Sequence, residues 1–152
     1  MSNTLELTIT IESIKLPQGT NGEPSRIAKA LNVPIDWILD VTIFREKEGI
    51  VSIIKSANRR LNFSALFKEL DCAWAAFPSR EDLRQLGTTN LKNPFILASN
   101  KNVRIIVDAW VLQQQPKTLI IPLDDDRAIS TCVTDLMIGT SAKVLGGITV
   151  SK

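Results

Sequence analysis

Residues 27–44 constrain the fold more than any other stretch, because they form the densest apolar run in the first half of the chain. Asn32 suits the left-handed residue that ends a helix, and Pro34 suits the first turn of the helix that follows. We therefore predict a short helix over residues 25–31, a turn, and a second short helix. The end of the run is β-branched and aromatic, which predicts a strand over residues 41–44.

The two predicted helices resemble the helix-turn-helix of phage-repressor-like proteins. The resemblance rests on Ile27, Ala28, Leu31, Asn32, Val33 and Ile38. It implies that the second helix presents side chains to base edges. The first turn of that helix carries Pro34, Ile35 and Asp36, and not the Arg, Lys, Asn or Gln side chains that recognise bases. We therefore favour a packing role for the turn at residues 27–39 and keep DNA or RNA binding as an alternative.

The overall composition predicts one globular domain with a core of its own. The chain has 152 residues, of which 44% are apolar and 22% charged, an ordinary globular profile. The net charge of +2 is small for a protein that binds mainly phosphates. Because no apolar run reaches about 18 residues, we expect a soluble, cytoplasmic protein without a membrane span.

The residue types that are absent argue against most classes of enzyme. The chain has no histidine, which removes the commonest general base and the commonest metal ligand. Its two cysteines, Cys72 and Cys132, are too few for a four-cysteine zinc site and most simply pack as small buried side chains. We therefore expect no cofactor, and we favour a non-enzymatic role over catalysis.

Periodic patterns predict the elements of the first half. Apolar and polar residues alternate over residues 5–11, which predicts a strand with one buried face. Residues 41–44 and 50–54 predict a hairpin around the polar turn at residues 46–49. Ser79 and Asp82 then predict the cap of a short helix that stops at Gly87. Before that cap we predict a long amphipathic helix with a buried stripe formed by Phe63, Phe67, Leu70, Trp74 and Phe77.

The second half predicts three strands, a helix and a closing strand. The strands cover residues 95–98, 103–112 and 118–123, the first two as a hairpin and the third antiparallel to the second. A helix over residues 128–138 ends at Gly139, and residues 144–150 form the last strand.

From Leu61 onward this order resembles the core of the restriction-endonuclease-like family. The resemblance implies an aspartate on the second strand and a carboxylate-x-Lys pair on the third, which together hold Mg²⁺ and a water. Asp108 stands at the expected place, whereas the third strand carries neither the acid nor the lysine. Asp124, the first of three consecutive aspartates, is the other metal candidate, although a helix cap with solvated charges is favoured there.

A basic cluster lies where the long helix is predicted to start. It consists of Lys55, Arg59 and Arg60. These side chains are the nucleic-acid-binding candidates, because they could hold a phosphate. A solvated charged end is the favoured interpretation, since three charges make only a weak field.

We therefore predict an α+β fold in a single domain, residues 1–152, with a mixed or antiparallel sheet of about five to seven strands packed by two or three helices. Within it, residues 1–54 would pack on a core formed by residues 55–152. The favoured function is a binding, regulatory or assembly subunit of a soluble intracellular complex, with a protein partner or a second copy of the chain. The alternatives are a DNA- or RNA-binding regulator that uses residues 27–39 and 55–60, and an active or degenerate metal-dependent phosphodiesterase.

Overall fold

The computed structural model describes residue 9 and residues 11–152, so the strand predicted over residues 5–11 lies mostly outside the described residues. The described part is an α+β domain, as predicted. Its strands are β1 Glu12–Lys15, β2 Leu39–Glu46, β3 Gly49–Ser56, β4 Arg59–Leu61, β5 Val103–Asp108, β6 Leu119–Pro122, β7 Arg127–Thr131, β8 Lys143–Leu145 and β9 Thr149–Ser151. Its helices are α1 Pro24–Leu31, α2 Phe63–Leu70, α3 Arg80–Leu86, α4 Pro94–Leu97, α5 Ala109–Gln113 and α6 Val133–Thr140.

A hairpin of β2 and β3 forms one side of the largest sheet. The two strands pair antiparallel from Leu39 opposite Ser56 to Glu46 opposite Gly49, which confirms the predicted hairpin. β3 then pairs parallel with β5, and β5 pairs parallel with β8. The strand order is therefore β2-β3-β5-β8, a mixed sheet.

Two smaller antiparallel sheets flank this one. The first has the order β1-β7-β6, and the second pairs β4 with β9. A parallel bridge between Ile38 and Ile120 connects the first of them to the start of β2. β6 and β5 therefore lie in different sheets, so the predicted antiparallel pairing of residues 103–112 with 118–123 is wrong. The restriction-endonuclease-like order is not confirmed.

The buried core lies on both faces of β3. Ile50 and Ile54 point to one face, where they pack with side chains that include Leu97 and Leu136 of the helices. Val51 and Ile53 point to the other face and pack with a second cluster that includes Leu66 of α2. β3 is the most completely buried strand of the sheet, and this burial explains why it carries apolar residues on both faces at positions 50, 51, 53 and 54.

The predicted pair of helices at residues 25–40 is only half formed. α1 ends at Asn32, which adopts the predicted left-handed conformation with φ 55°. The second helix is reduced to a single 3₁₀ turn, Ile35–Trp37. Strand pairing wins here, because Ile38 already bridges Ile120 and Leu39 begins β2. The described chain therefore has no recognition helix at this turn.

The long amphipathic helix is also shorter than predicted. α2 stops at Leu70 because Asp71 takes the left-handed conformation, with φ 51°. The chain then turns back along the edge of β2, where Ala76 bridges Arg45. Trp74 and Phe77 are consequently 46% and 82% exposed, and Phe63 on α2 is 46% exposed. The prediction that these three residues of the stripe are buried is wrong.

Local capping residues decide the remaining helices. The capping box of Ser79 and Asp82 and the left-handed Gly87 bound α3, as predicted. Residues 94–97 form the helix α4 and not a strand, because the Asn93 side chain caps its amides and Pro94 occupies its first turn. Residues 109–113 leave the predicted strand to form α5, since Asp108 caps it.

The helix predicted over residues 128–138 divides into a strand and a helix. Its first residues form β7, and α6 begins only at Val133. α6 continues through Gly139 to Thr140, so Gly139 does not end it. Residue 139 lacks a side chain because the Phe95 ring packs there: a Cβ would lie 2.6 Å from a ring carbon.

Candidate functional site

A cleft of about 380 Å³ opens where β2 begins and β3 ends. The loop around Gly22, the segment from Pro122 to Asp125 and Lys92 complete its walls. Its charged side chains are Asp40, Lys55, Lys92, Asp124, Asp125 and Lys152. Because β3 and β5 are parallel, this is the carboxyl end of a parallel strand pair, the usual position of ligand sites in such sheets.

The centre of the cleft is an ion pair between neighbouring strands. Asp40 on β2 and Lys55 on β3 are register partners, and Lys55 Nζ lies 3.5 Å from Asp40 Oδ2. Lys55 is only 7% exposed, whereas the Asp40 side chain is 35% exposed. Lys55 Nζ also donates to the carbonyl oxygens of Arg59 at 2.6 Å and Ser56 at 3.3 Å. An ammonium has three N–H donors, so those of Lys55 are all occupied within the protein.

Lys92 is the second cation beside Asp40. Its Nζ lies 3.5 Å from Asp40 Oδ1 and donates to the Val41 carbonyl at 3.0 Å. The Lys92 side chain is 52% exposed. Two acceptors for three N–H donors leave one donor that can reach a ligand in the cleft.

The surroundings shift the pKa values of both members of the central pair. Burial alone would raise the pKa of the Asp40 carboxyl, but the attraction of Lys92 and Lys55 and a hydrogen bond from Thr42 hold that pKa below its usual value. Burial lowers the pKa of the Lys55 amine, and the neighbouring Asp40 offsets this only in part. Asp40 is therefore a carboxylate at neutral pH.

The turn between β6 and β7 forms an acidic wall of the cleft. Asp124 Oδ1 accepts hydrogen bonds from the backbone amides of Asp126 at 3.0 Å and Arg127 at 2.8 Å. The first of these hydrogen bonds is the main reason why the pKa of Asp124 is lowered. Gly22 closes against the wall: its φ is +72°, and a Cβ there would lie 3.3 Å from Asp125 Oδ1. Two hydrogen bonds to Asp124 therefore organise the turn, and Asp124 and Asp125 both line the cleft.

The three predicted nucleic-acid-binding residues lie in different environments. Lys55 is buried in the cleft. The Arg59 backbone carbonyl accepts a hydrogen bond from that lysine, while the Arg59 guanidinium contacts Thr149 and Trp110. Arg60 is exposed and points to the other side of β4. The three side chains therefore do not form one basic surface.

The two predicted metal ligands are likewise separated. Asp108 is 1% exposed, accepts a hydrogen bond from Thr149 Oγ1 at 2.5 Å and caps α5 through the Trp110 amide. Asp124 lines the cleft, and Asp108 does not. Across the described residues, no group of three or more histidine, cysteine or carboxylate side chains is arranged to hold a metal ion.

The sequence analysis did not single out Asp40 as a partner of Lys55, although a signal was present. A two-residue turn at Lys47 and Glu48 places Glu46 opposite Gly49, and counting back along both strands places Asp40 opposite Lys55. No sequence pattern indicated that Lys92 lies beside Asp40, because Lys92 belongs to a loop that is distant in sequence.

Comparison with known proteins gives a fold and no family. No protein-family model matches the chain, and no curated protein sequence does. Among solved structures, one similar protein is a candidate trans-editing enzyme for prolyl tRNA synthetase; the TM-score is 0.73 at 16% identity, covering 90% of this chain and 85% of that one. A hypothetical protein gives a TM-score of 0.69 at 16% identity, with 95% and 93% covered.

A third similar structure is a candidate signal transduction protein from Marinobacter aquaeolei VT8. Its TM-score is 0.64 at 17% identity, and the match covers 93% of this chain but 28% of that longer one. Identities this low establish the shared fold alone. Separately, none of the helices in the described part of the chain combines the length and apolar character needed to cross a bilayer.

Proposed function

We propose that the cleft binds the aminoacylated 3′ end of a tRNA and hydrolyses the ester that joins the amino acid to the terminal ribose. The observation that carries the proposal is the buried Asp40–Lys55 pair with Lys92 beside it, in a cleft of a chain whose fold is similar to that of a candidate trans-editing enzyme. Trans-editing is the hydrolysis of a misacylated tRNA by a protein separate from the synthetase, and it is needed where binding alone cannot discriminate similar amino acids.

The charges of the cleft suit such a substrate. The aminoacylated end of a tRNA carries a positive α-ammonium group and, one nucleotide away, negative phosphates. Asp124 and Asp125 offer carboxylates to the ammonium, and the half-exposed Lys92 offers its remaining N–H to an oxygen of the ester or the phosphate. A cleft lined by side chains of only one charge sign would complement only one of the two charged groups of this ligand.

Hydrolysis of an aminoacyl ester requires few catalytic groups from the protein. The ester is an activated acyl compound, so water needs orientation and the developing oxyanion needs a donor. Lys92 is the donor. Asp40 orients the attacking water and takes one of its protons as the water oxygen bonds to the ester carbonyl carbon. That proton passes to the ribose oxygen as the ester C–O bond breaks, and the amino acid leaves as the free acid, which releases its remaining proton to solvent. With its pKa lowered, Asp40 is a weak base, which suits an activated ester better than an amide.

A non-catalytic binding subunit is the second candidate, and one observation favours it. All three donors of Lys55 are used within the protein, so this lysine holds the site together and offers nothing to a substrate. On this alternative the cleft binds the same tRNA end, or a partner with the same charges, without hydrolysing it. The metal-dependent phosphodiesterase ranks third, since Asp108 is committed to Thr149 and to the cap of α5.

The proposal is tested by hydrolysis of tRNAPro charged with alanine or cysteine, with prolyl-tRNAPro as the reference. The wild-type protein should release the near-cognate amino acid faster than buffer alone. Lys92→Ala should slow the reaction at least about tenfold, the loss of about 1.4 kcal/mol of transition-state stabilisation. Lys117→Ala, at an exposed lysine outside the cleft, is the matched control and should have no effect.

Each outcome of the assay selects an interpretation. Binding of the charged tRNA without release of the amino acid would select the binding subunit. Hydrolysis that is equally fast in Lys92→Ala would place the reaction outside this cleft and contradict the proposal.

A further inference from the structure

A chain of hydrogen bonds runs from the end of β5 to the buried lysine of the cleft. Asp108 Oδ2 accepts from Thr149 Oγ1 at 2.5 Å, and that hydroxyl oxygen accepts in turn from Arg59 Nε at 2.9 Å. Arg59 Nη2 donates to the Thr149 carbonyl at 2.9 Å, and the guanidinium carbon lies 4.5 Å from the centre of the Trp110 ring. Lys55 Nζ donates to the Arg59 carbonyl at 2.6 Å, closer than either of its other contacts.

The two acceptor groups at the start of this hydrogen-bond chain have little access to water. Asp108 is 1% and Thr149 6% exposed, so neither can replace a lost partner easily with solvent. The Arg59 guanidinium has three contacts: the hydroxyl of Thr149, the backbone carbonyl of Thr149 and the Trp110 ring. None of these side chains lines the cleft. Their effect on the cleft passes through the Arg59 carbonyl.

We infer that Arg59 and Thr149 are positioning residues of the candidate site: they fix the carbonyl oxygen of residue 59 against the Lys55 ammonium, and thereby the Asp40 carboxylate that pairs with it. The inference rests on the proposed function for its activity readout, whereas its titration readout does not depend on any activity.

The physical reason is that Lys55 is buried, so each acceptor of its ammonium counts. The other charges that face it are Asp40 from β2, Asp108 from β5 and Lys152 beyond β9. Removing the Thr149 hydroxyl leaves Arg59 Nε and Asp108 without their shared partner, and the Arg59 guanidinium then keeps only the Thr149 carbonyl and the Trp110 ring. The residue 59 backbone, which pairs with Ser151, is then held less firmly beside Lys55. An ammonium with a weaker acceptor is less favoured than the neutral amine, so the pKa of Lys55 falls.

The test follows the Lys55 amine by NMR in protein labelled at the lysine side chains, from neutral to alkaline pH. Thr149→Val removes the hydroxyl and preserves the shape of the side chain; it should lower the pKa of Lys55 by roughly half a unit or more. Thr149→Ser restores a hydroxyl and should return the pKa to within about 0.2 unit of wild type. The exposed Lys117 is the internal reference, and its side-chain signals at neutral pH should be the same in all three proteins.

The same variants are compared in the deacylation assay. Thr149→Val should lower kcat at least about threefold with KM little changed, and Thr149→Ser should recover it. If Thr149→Val does not fold, Trp110→Leu is the second variant, because it removes the ring that holds the Arg59 guanidinium against Thr149. It should lower the pKa of Lys55 and kcat in the same direction as Thr149→Val, and unchanged values would overturn the inference.

The outcomes separate this inference from the proposed function. A Lys55 pKa and a kcat that are the same in Thr149→Val as in wild type would overturn the inference, even if the protein hydrolyses aminoacyl-tRNA. A lowered Lys55 pKa that Thr149→Ser reverses supports the inference, even if no hydrolysis is found and the proposed function fails.

Discussion

Lys55 and Asp40 face each other across β2 and β3, with Lys55 Nζ 3.5 Å from the carboxylate in a cleft that is open to ligands. The lysine is the more deeply buried of the two, and the aspartate partly offsets the lowering of its pKa by burial. Lys92 shares the same carboxylate from the outside. The pair therefore links the stability of the hairpin to the electrostatics of the candidate site.

Acidification should destabilise the protein partly through Asp40. Burial raises its pKa, but the charges of Lys92 and Lys55 and the hydrogen bonds from Thr42 and Lys92 together outweigh burial, so the pKa is lower in the folded state than in the unfolded chain. Such a carboxyl stabilises the fold above the unfolded pKa, and this contribution is lost as the pH falls through the folded pKa. Urea unfolding between pH 3 and pH 7 should show the free energy of unfolding falling below about pH 4, and Asp40→Asn should reduce that fall by about 1 kcal/mol.

The control for this titration is Glu48→Gln, at an exposed position in the turn between β2 and β3. It should leave the acid limb of the curve unchanged. An Asp40→Asn curve that is parallel to wild type over the whole range would mean that the carboxylate is not held by the lysines.

Ser52 should be replaceable with a gain in stability. Its hydroxyl is fully buried on β3, and within the described part of the chain it has no hydrogen-bond partner. An unpaired buried hydroxyl costs roughly 1–3 kcal/mol, so Ser52→Ala should raise the free energy of unfolding by about 1 kcal/mol. Ser56 is the matched control on the same strand, because its equally buried hydroxyl accepts from the Asn58 amide at 3.2 Å. Ser56→Ala should be destabilising, and a loss of stability in both variants would show that Ser52 has a partner.

Two residues of the predicted long helix should lose very different amounts of stability when they are truncated to alanine. Leu66 is 1% exposed in the core beneath α2, so Leu66→Ala should cost about 2–5 kcal/mol of stability. Trp74 is 46% exposed, and Trp74→Ala should cost about 1 kcal/mol or less despite the larger side chain. Chemical denaturation measures both, and equal losses would place Trp74 in the core.

Sequence reasoning succeeded where a few adjacent residues decide the outcome. Asn32 and Gly87 end their helices in the left-handed conformation, and Ser79 with Asp82 forms the capping box, all as predicted. The β2–β3 hairpin also formed in the predicted place. Each of these features is determined by the local backbone conformation, and no tertiary contact among the described residues favours a different conformation there.

It failed where distant contacts choose between two local preferences. The 3₁₀ turn after Pro34 gives way to a strand because Ile120 is there to pair with Ile38. Residues 103–107 pair with residues 50–54 of β3, 53 positions earlier in the chain, and no local sequence pattern identifies that parallel partner. The cleft has the same origin: Lys92 and Asp124 reach it from separate loops, so only the register of Asp40 and Lys55 was open to prediction.

Gly139 offers a direct check on one of these distant contacts. A methyl group at this position would meet the Phe95 ring at 2.6 Å and 2.7 Å, so the ring or the helix must shift. Gly139→Ala should therefore destabilise by about 1–3 kcal/mol, although alanine is the better helix former. Combining it with Phe95→Leu should recover part of the loss. A stabilising Gly139→Ala would show that α6 does not pack on α4 as described.

The central claim is that the cleft around Asp40 and Lys92 receives the aminoacylated 3′ end of a tRNA. The most direct measurement is an NMR titration of the labelled protein with a non-hydrolysable mimic, adenosine carrying an alanyl amide at its 3′ position. The account predicts saturable shifts concentrated at Gly22, Asp40, Lys55, Lys92 and Asp124, which Lys92→Ala weakens and Lys117→Ala does not. Shifts confined to another surface, or no saturable shift at millimolar mimic, would contradict it.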